Sequence, residues 1–410
     1  MSKISDIKGT VTYTDNDDLG GNGITHLVPT LSSSYTITHP ANQGLTNEHL
    51  ENDGSGNLDW KTKVTNKELG DMFYNATEGY DTTTITGITG VYSNGILAPN
   101  GKLYFTPGDG ITRDVLIIDP LTNIIDTTTI SGLSYTGILN ESILAPNGKI
   151  YTGPNTATIV LIIDTETDKA DTTTISNIPG FAGTSQGGVL SPNGKIYFTP
   201  RSAGYVLIVD TNTDVADTST ISGLSGSSSW LGGCLASNGK IYYSPFDSTT
   251  VLILDPSTET VDVVSITGII GSNKYIGIVP GPNNKLYCVP ASSSSVLIID
   301  PSNDTIDTSS ISGLSGTFKW GGGILAPNKK IYCAPTSATN SLIINTTTDT
   351  PDTSTISGLQ PGSSIFSGYV MSLDGKLYGM SNNLNNMLII STGEPTIPIE
   401  RCTSAYFNKF

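Results

Sequence analysis

The chain has 410 residues and a formal net charge of −16 at pH 7, and only 14% of its residues are charged. This acidity excludes nucleic acid as a partner, because no basic field is available to displace phosphate counterions. No run of about 18 apolar residues is present, so no membrane insertion is expected. Four cysteines are too few and too widely spaced for a disulfide scaffold or a zinc site.

Residues 1–76 precede any repeat and form the first predicted domain. They hold short β-like runs, TVTYT (10–14) and SYTITH (34–39), separated by Gly, Asn and Pro. TNKELGDMFYN (65–75) predicts a short helix, because it opens with capping-box spacing and places its apolar residues on one face. A segment with so few apolar residues is expected to borrow a core from neighbouring chains.

The stretch LENDGSGNLDWKT (50–62) resembles phrases common in bacteriophage tail-fibre and other virion appendage proteins. The resemblance covers about a dozen residues. It implies that residues 1–76 are an anchor that attaches to other virion proteins or trimerises, while the rest of the chain meets the host surface.

From residue 81 onward, three phrases each occur seven times at a period of about 45 residues. An Asn-Gly turn leads into a strand with a tyrosine, a VLIID run follows, and a DTTTI run, predicted as the fourth strand, ends the unit. Four strands per unit predict an all-β, seven-bladed β-propeller over residues 77–410. A solenoid would need polar end caps, which the sequence lacks. The repeated tyrosines are Tyr104, Tyr151, Tyr197, Tyr242, Tyr287, Tyr332 and Tyr378.

The ends of the repeat predict how the ring closes. The first DTTTI run (81–85) precedes the first complete unit, whereas the last VLIID-like run (387–392) has no DTTTI run after it. We therefore expect strand 81–85 to join the last blade, which removes the open sheet edges. The run PTIPIE (395–400) is the alternative, but its two prolines suit an edge strand poorly. The Asn-Gly turns are expected to be of type I′.

In a propeller of this strand order, the first-to-second and third-to-fourth turns share one face, here the bottom face. The second-to-third loops and the blade connections share the other, here the top face. The bottom face carries a lysine after each first turn. Such a ring of lysines could bind an anion, but pairing with neighbouring aspartates is the favoured interpretation. The lysines are Lys102, Lys149, Lys195, Lys240, Lys285, Lys330 and Lys376.

The repeats differ mainly on the top face, so we predict the ligand site there. Aromatic rings beside hydroxyl and amide groups suit sugar recognition, since a flat ring stacks on the apolar face of a pyranose. Packing of the same rings between blades is the alternative and weighs more. The predicted ligand-binding residues are Tyr92, Trp230, Tyr275, Trp320 and Phe366 from the blade connections, with Arg201, Asp247 and Asn340 from the loops.

No catalytic, cofactor or metal site is expected. All three histidines precede the ring, which excludes a Ser-His-Asp or His-metal site on it. Glutamate is nearly absent from the ring, so the paired carboxylates of a glycosidase are not available. We therefore predict that the chain is not an enzyme.

These expectations combine into one predicted function. Residues before the closing strand and the tail (392–410) should both begin at the bottom face, opposite the variable top face. The chain is predicted to be a virion appendage, such as a tail fibre, head fibre or spike, that binds a host-surface glycan or receptor. A homo-oligomer is expected, with a trimer favoured.

Two alternatives stay open, a capsid-decorating protein without a ligand and a bacterial surface or periplasmic propeller. The start MSKISDIKGT has no apolar run, so no secretion signal is expected, which counts against the bacterial alternative. The predicted location is therefore the virion, after synthesis in the host cytoplasm.

Overall fold

The computed structural model divides the chain into two compact units, Met1–Met72 and Phe73–Phe410. In the first unit it describes only the backbone of two antiparallel hairpins. Their strands are Gly9–Tyr13 (β1), Ile24–Val28 (β2), Glu48–Asn52 (β3) and Leu58–Thr62 (β4). The run predicted at 34–39 and the helix predicted at 65–75 lie outside the described residues. The second unit is described for residues 78–178, 187–224, 229–360, 366–381 and 385–393.

The second unit contains seven four-stranded antiparallel sheets, so the predicted all-β, seven-bladed propeller is confirmed. In blades 1–6 the strands pair in chain order. No helix that could span a membrane occurs in the part of the chain that the structure describes. The strands are Tyr92–Leu97, Leu103–Pro107, Leu116–Asp119 and Ile124–Asp126 (β6–β9, blade 1); Leu139–Leu144, Lys149–Pro154, Leu161–Asp164 and Lys169–Asp171 (β10–β13, blade 2); Gly188–Leu190, Lys195–Phe198, Ile208–Asp210 and Val215–Asp217 (β14–β17, blade 3).

The second half of the ring repeats this arrangement. Its strands are Trp230–Leu235, Ile241–Pro245, Leu252–Asp255 and Thr260–Asp262 (β18–β21, blade 4); Tyr275–Pro280, Leu286–Pro290, Leu297–Asp300 and Thr305–Asp307 (β22–β25, blade 5); Trp320–Leu325, Lys330–Pro335, Leu342–Asn345 and Thr350–Asp352 (β26–β29, blade 6); and Phe366–Met371, Leu377–Ser381 and Met387–Ser391 (β30–β32, blade 7).

Blade 7 takes its fourth strand from the start of the second unit. Gly79–Asp81 (β5) pairs antiparallel with β32, with Asp81 opposite Ile389 and Gly79 opposite Ser391. The closing strand is therefore 79–81 rather than the predicted 81–85. Because the first strand of the ring completes the last blade, main-chain hydrogen bonds join the beginning of the second unit to its end and close the ring.

The repeated DTTTI phrase is a turn, so the prediction that it forms the fourth strand is wrong. Each fourth strand ends at the Asp of this phrase, as β9 does at Asp126. The Asp126 carboxylate accepts hydrogen bonds from the backbone N–H groups of Thr128 and Thr129 at 2.7 and 3.1 Å. Local bonding of this kind competes with strand pairing, which explains why a Thr-rich run turns instead of extending.

The turn between the first and second strands is also not the predicted type I′ turn. In blade 1 the N–H of Gly101 donates to the Ala98 carbonyl at 3.0 Å, and Gly101 has a φ of +80°. Pro99 fixes its own φ near −65°, whereas a type I′ turn needs a positive φ at that position. A type I turn followed by a left-handed residue forms instead, and Asn284 and Lys329 adopt that left-handed conformation in blades 5 and 6.

The apolar core lies between neighbouring blades rather than within them. One cluster joins Val289 and Ile298 of blade 5 to Ile331 and Leu342 of blade 6, and similar clusters occupy the other junctions. The seven repeated tyrosines are all 1% exposed or less. Repetition of the strand phrases therefore encodes one blade-to-blade interface that is used around the ring.

The tyrosines also link each blade to the next at the bottom face, in an arrangement that we call the tyrosine latch. In blade 2 the Tyr151 hydroxyl donates to the Asp214 carboxylate of blade 3 and accepts from Asn147 Nδ2 at 3.0 Å. Lys149 Nζ lies 2.8 Å from the same carboxylate. Pairing of bottom-face lysines with carboxylates, as the sequence favoured, is found for Lys149, Lys195, Lys285, Lys330 and Lys376.

The latch is altered where blade 7 meets blade 1. Asn123, with a φ of +57°, stands in blade 1 where blade 3 has Asp214. The carboxylate is supplied from the other side by Asp374, which pairs with Lys376 at 2.9 Å and accepts from the Ser372 hydroxyl. A pocket of about 310 Å³ at this junction is lined by Asn123, Lys376 and Tyr378 among others.

Candidate binding site on the top face

The predicted aromatic residues of the blade connections are buried. Tyr92, Trp230, Tyr275 and Trp320 are 1–4% exposed. The indole N–H groups of the two tryptophans donate to the carbonyls of Thr250 and Asn340 at 2.8 and 2.9 Å, which fixes both rings in place. These four rings therefore offer no free face for a sugar, as expected from the packing alternative. Phe366 opens β30, and its side chain lies outside the described residues.

Arg201 is the predicted residue with the most unusual surroundings. It follows the second strand of blade 3, and its guanidinium carbon lies 5.5 Å from the ring centroid of Phe246 in blade 4. Its Nε is buried and has no hydrogen-bond partner among the described residues. Burial lowers the pKa of Arg201, and the neighbouring Asp247 carboxylate partly offsets this effect. An N–H donor held out of water without an acceptor is costly to the fold.

Asp247 places a carboxylate next to this guanidinium, as the sequence predicted for the same face. One of its oxygens accepts from the Asn273 N–H of the next blade connection at 2.7 Å. That bond ties the loop of blade 4 to the connection between blades 4 and 5. The loops of blades 3 and 4 therefore place a cation and an anion on the same face of the ring.

Phe318 completes the group and was not predicted. Its side chain is 39% exposed, and its ring centroid lies 6.4 Å from that of Phe246. It has a φ of +47°, although bulky side chains avoid the left-handed region. The residue before the buried Lys274 in the previous connection is Asn273, also left-handed at +51°, and asparagine tolerates this conformation well. A strained, exposed phenylalanine in this position is a feature that packing does not explain.

Two lysines nearby are taken up by the scaffold. Lys274 Nζ donates to the Gly271 carbonyl at 2.8 Å, and Lys319 Nζ donates to the carbonyls of Ala291, Ser293 and Gly316 at 2.8–3.0 Å. Both side chains are buried, and burial lowers the pKa of each ammonium group. They hold the blade connections and add positive charge beneath the Arg201 group, but they are not free to contact a ligand.

Arg113 in blade 1 provides an internal comparison. It also lies in a second-to-third loop, with its guanidinium carbon 4.5 Å from the ring centroid of Tyr135. Unlike Arg201, it donates to the carbonyls of Thr112 and Gly110 at 2.8 and 2.6 Å. The two arginines thus both lie in a second-to-third loop beside an aromatic ring of the next blade, Arg201 at the start of its loop and Arg113 near the end, and the two acceptors of Arg113 lie within its own loop.

Asn340, the last predicted residue, lies in the second-to-third loop of blade 6. Its carbonyl accepts from Trp320 Nε1, and its side-chain Oδ1 is buried without a partner among the described residues. Nothing brings it into contact with the Arg201 group. We therefore define the candidate site as Arg201, Phe246, Asp247, Asn273 and Phe318.

Metal binding by a cluster of acidic side chains is not indicated. Across residues 78–178, 187–224, 229–360, 366–381 and 385–393, no group of three or more His, Cys, Asp or Glu side chains surrounds a common point. The three described cysteines, Cys234, Cys288 and Cys333, are buried free thiols whose pKa values are raised by burial.

No family model and no curated protein matches the chain. Solved structures do share its ring of blades. A streptogramin B lyase structure is 12% identical with a TM-score of 0.62, and the match covers 76% of this chain and 97% of that one. A catalytically inactive virginiamycin B lyase from Staphylococcus aureus with Quinupristin is 13% identical with a TM-score of 0.64, over 77% and 99% of the two chains.

A third similar structure is the extracellular domain of a putative one-component system from B. thetaiotaomicron. It is 10% identical with a TM-score of 0.57, and the match covers 77% of this chain and 40% of that one. At these identities the likeness shows the fold alone.

The prediction that the chain is not an enzyme is contradicted by this comparison, because lyases are among the proteins with the same fold. The prediction rested on the position of three histidines and on the scarcity of glutamate. Those observations exclude particular catalytic groups from the ring, but they do not exclude catalysis by a propeller of this architecture.

Proposed function

We propose that the ring is a recognition module whose top face binds a surface glycan at the Arg201 site. The observation that carries the proposal is the guanidinium of Arg201, which is partly buried on an aromatic ring and whose Nε has no acceptor among the described residues. A ligand carboxylate or a pair of ligand hydroxyl groups supplies acceptors for it.

The other members of the site suit the same ligand. The Asp247 carboxylate accepts hydrogen bonds from sugar hydroxyl groups, and the exposed ring of Phe318 offers an apolar face for stacking. The strain at Phe318 supports this role, since a left-handed phenylalanine costs stability that asparagine at the same place does not. Among the similar structures are a lyase with Quinupristin and an extracellular domain, so other rings of this fold bind a ligand or lie outside the cell.

The proposal is tested by glycan-array binding of the full chain and of an Arg201→Gln variant. We expect the variant to lose binding by about tenfold or more, because a charge-assisted hydrogen bond contributes about 1.5–3 kcal/mol. Arg113→Gln is the control, since it removes the same charge from the second-to-third loop of another blade, where the arginine donates to carbonyls of its own loop. Equal loss in both variants, or no binding by the wild type to any glycan, would contradict the proposal.

A Phe318→Asn variant separates the aromatic contribution from the fold. It restores the residue that the preceding connection has at Asn273, so the backbone is expected to stay in place. Binding should weaken while stability rises. Unchanged binding would remove Phe318 from the site without affecting the role of Arg201.

We further propose that this module is displayed on a virion as part of a tail fibre, head fibre or spike, attached to other virion proteins through residues 1–76. The resemblance of residues 50–62 to virion appendage proteins supports this proposal, and it is independent of the Arg201 site. Light scattering of the full chain tests it, with a trimer as the expected result. A monomer that also fails to associate with particles would contradict it.

A further inference from the structure

The axis of the ring is closed by the first strands of the blades. Six of these strands carry a register shift, and the residue at the shift faces the axis. In three successive blades this residue is a glycine with positive φ, and the chains approach closely. A Cβ on Gly232 would lie 2.7 Å from the Cα of Gly277, and one on Gly277 would lie 3.2 Å from the Cα of Gly322. No side chain fits between these blades.

Blades 1 and 2 differ, because the corresponding residues are Asn94 and Glu141. Their side chains lie against the glycines of the adjacent blades, Asn94 against blade 7 and Glu141 against blade 3. A Cβ on Gly368 would lie 2.6 Å from Asn94 Oδ1, and one on Gly187 would lie 2.6 Å from Glu141 Oε2. Asn94 Nδ2 and Glu141 Oε1 are 3.4 Å apart, a long hydrogen bond. One carboxyl group and one amide thus occupy the centre of the ring.

The surrounding polar atoms fall into two groups. Beside the axis, the hydroxyl groups of Ser93, Thr106, Ser142 and Thr152 bond to one another at 2.7–3.0 Å and are satisfied. Asn94 Oδ1 and the hydroxyl of Thr199 are buried and have no partner among the described residues. The Thr199 hydroxyl lies 3.5 Å from the same Cβ position at Gly187 that Glu141 Oε2 approaches. The Thr199 oxygen therefore lies on the Oε2 side of the carboxyl group, whereas Asn94 presents Nδ2 rather than Oδ1 to Oε1.

The charge of Glu141 is also uncompensated. Its side chain is only partly exposed, and no lysine or arginine among the described residues forms an ion pair with it. A carboxylate in such a place favours a compact positive charge, and the net charge of −16 makes the surrounding potential more negative.

We propose that the axis of the ring binds a hard cation of the size of Ca²⁺ through Glu141, Asn94 and Thr199. All three supply oxygen ligands, which Ca²⁺ takes at about 2.3–2.6 Å in flexible geometry. The amide of Asn94 can turn by 180°, which places its oxygen near Glu141 Oε1. A spacing of about 3.4 Å between these two oxygens matches two ligands at right angles on such a cation.

Calcium-dependent thermal unfolding of the full chain tests the proposal, with calcium chloride as the only addition after chelator treatment. The wild type is expected to show a saturable rise in melting temperature, with a Kd of roughly 10⁻⁴–10⁻³ M because a single carboxylate takes part. Glu141→Gln keeps the shape of the side chain and should abolish the rise. In the presence of chelator, Glu141→Gln should have a higher melting temperature than the wild type, because the variant no longer holds a carboxylate charge away from water.

Glu166→Gln is the matched control, because Glu166 is an exposed carboxylate in a bottom-face turn of the same blade. It should keep the full calcium response. Asn94→Asp gives an independent test that does not require Glu141 to be removed, since a second carboxylate at the axis should tighten calcium binding about tenfold or more. An equal calcium response in the wild type and Glu141→Gln, or no calcium response in the wild type, would overturn the proposal.

Discussion

The tyrosine latch predicts that loss of a tyrosine hydroxyl lowers the free energy of unfolding more at a junction with an opposing carboxylate than at the junction of blades 7 and 1. Replacing Tyr151 by Phe removes a hydroxyl that donates to Asp214 and accepts from Asn147. The other partners remain, because Asn147 Nδ2 still donates to the Thr211 carbonyl at 2.8 Å and Lys149 still pairs with Asp214. The loss is therefore one buried, charge-assisted hydrogen bond, and the free energy of unfolding should fall by about 2 kcal/mol.

Tyr378 provides the matched control within the same ring. It is 1% exposed like Tyr151, but the residue opposite it in blade 1 is Asn123 rather than an acid. The nearby carboxylate, Asp374, is held by Lys376 and Ser372. Tyr378→Phe should therefore cost about 1 kcal/mol or less, the range of a neutral hydrogen bond.

Urea unfolding followed by tryptophan fluorescence measures both variants, with equal m-values as the condition for comparing them. A double-mutant cycle of Tyr151→Phe with Asp214→Asn then gives the coupling between hydroxyl and carboxylate. A cost for Tyr151→Phe within about 0.5 kcal/mol of zero would refute the argument. So would an equal cost for the two tyrosines, because the carboxylate would then make no difference.

Three further predictions follow from other parts of the ring. Phe318→Asn should raise the free energy of unfolding by about 1 kcal/mol, because asparagine adopts the left-handed conformation more easily; unchanged stability would show that the φ of +47° carries no strain. Gly232→Ala should lower the free energy of unfolding by about 3 kcal/mol, because its Cβ would meet the backbone of Gly277 at 2.7 Å. Gly239→Ala is the control, since Gly239 has a similar φ and its Cβ would have nothing within 4 Å, and it should lower the free energy of unfolding by only about 1 kcal/mol in the same urea assay. The pKa values of the turn aspartates Asp171, Asp217 and Asp352 are lowered to about 2 from 3.8 in the folded chain. As the pH drops from about 3.8 towards 2, the unfolded chain therefore binds protons before the folded chain does, and the free energy of unfolding should fall. A melting temperature that stays constant over this range would contradict the assignment.

The repeated phrases predicted the fold because they describe a local interface that recurs around the ring. The tyrosine strand and the VLIID strand are buried in every blade, so their apolar pattern is visible in the sequence. The DTTTI phrase was misassigned for an equally local reason. Threonine and isoleucine favour strands, but the carboxylate of Asp126 bonds to the backbone two and three residues ahead and ends the strand there.

The candidate site could be predicted only in part. Arg201 and Asp247 were found because they are charged residues in variable loops. Phe246 and Phe318 were missed. Phe246 is a buried residue of a second-to-third loop that joins the site only through the fold, and the exposure of Phe318 in a blade connection depends on backbone conformation that no short pattern encodes. One signal was present in the sequence, since Phe318 precedes Lys319 where Asn273 precedes Lys274. An aromatic residue in place of a turn-forming residue marks a position where packing and turn geometry disagree.

Departures from the repeat can be sorted by whether the ring itself compensates for them. At the junction of blades 7 and 1, Asn123 lacks the usual acid, but Asp374 restores a carboxylate from the opposite side and is fully paired. This exchange is complete within the protein and needs no ligand. Among the described residues no such exchange occurs at Arg201 or at Glu141, because Arg201 Nε has no acceptor and the Glu141 carboxyl group has no cationic partner.

A seven-fold scaffold makes this distinction sharp, because each departure is measured against neighbouring copies in the same molecule. Blade 5 has Asn273 at the position of Phe318, and blade 3 has Gly187 at the position of Glu141, so the same scaffold accommodates residues that bring neither a strained phenylalanine nor an unpaired charge. The stability of the fold therefore does not explain the strained ring or the unpaired charge. The top face and the axis are the two places where a ligand would supply a missing partner, a hydrogen-bond acceptor for Arg201 and a positive charge for Glu141.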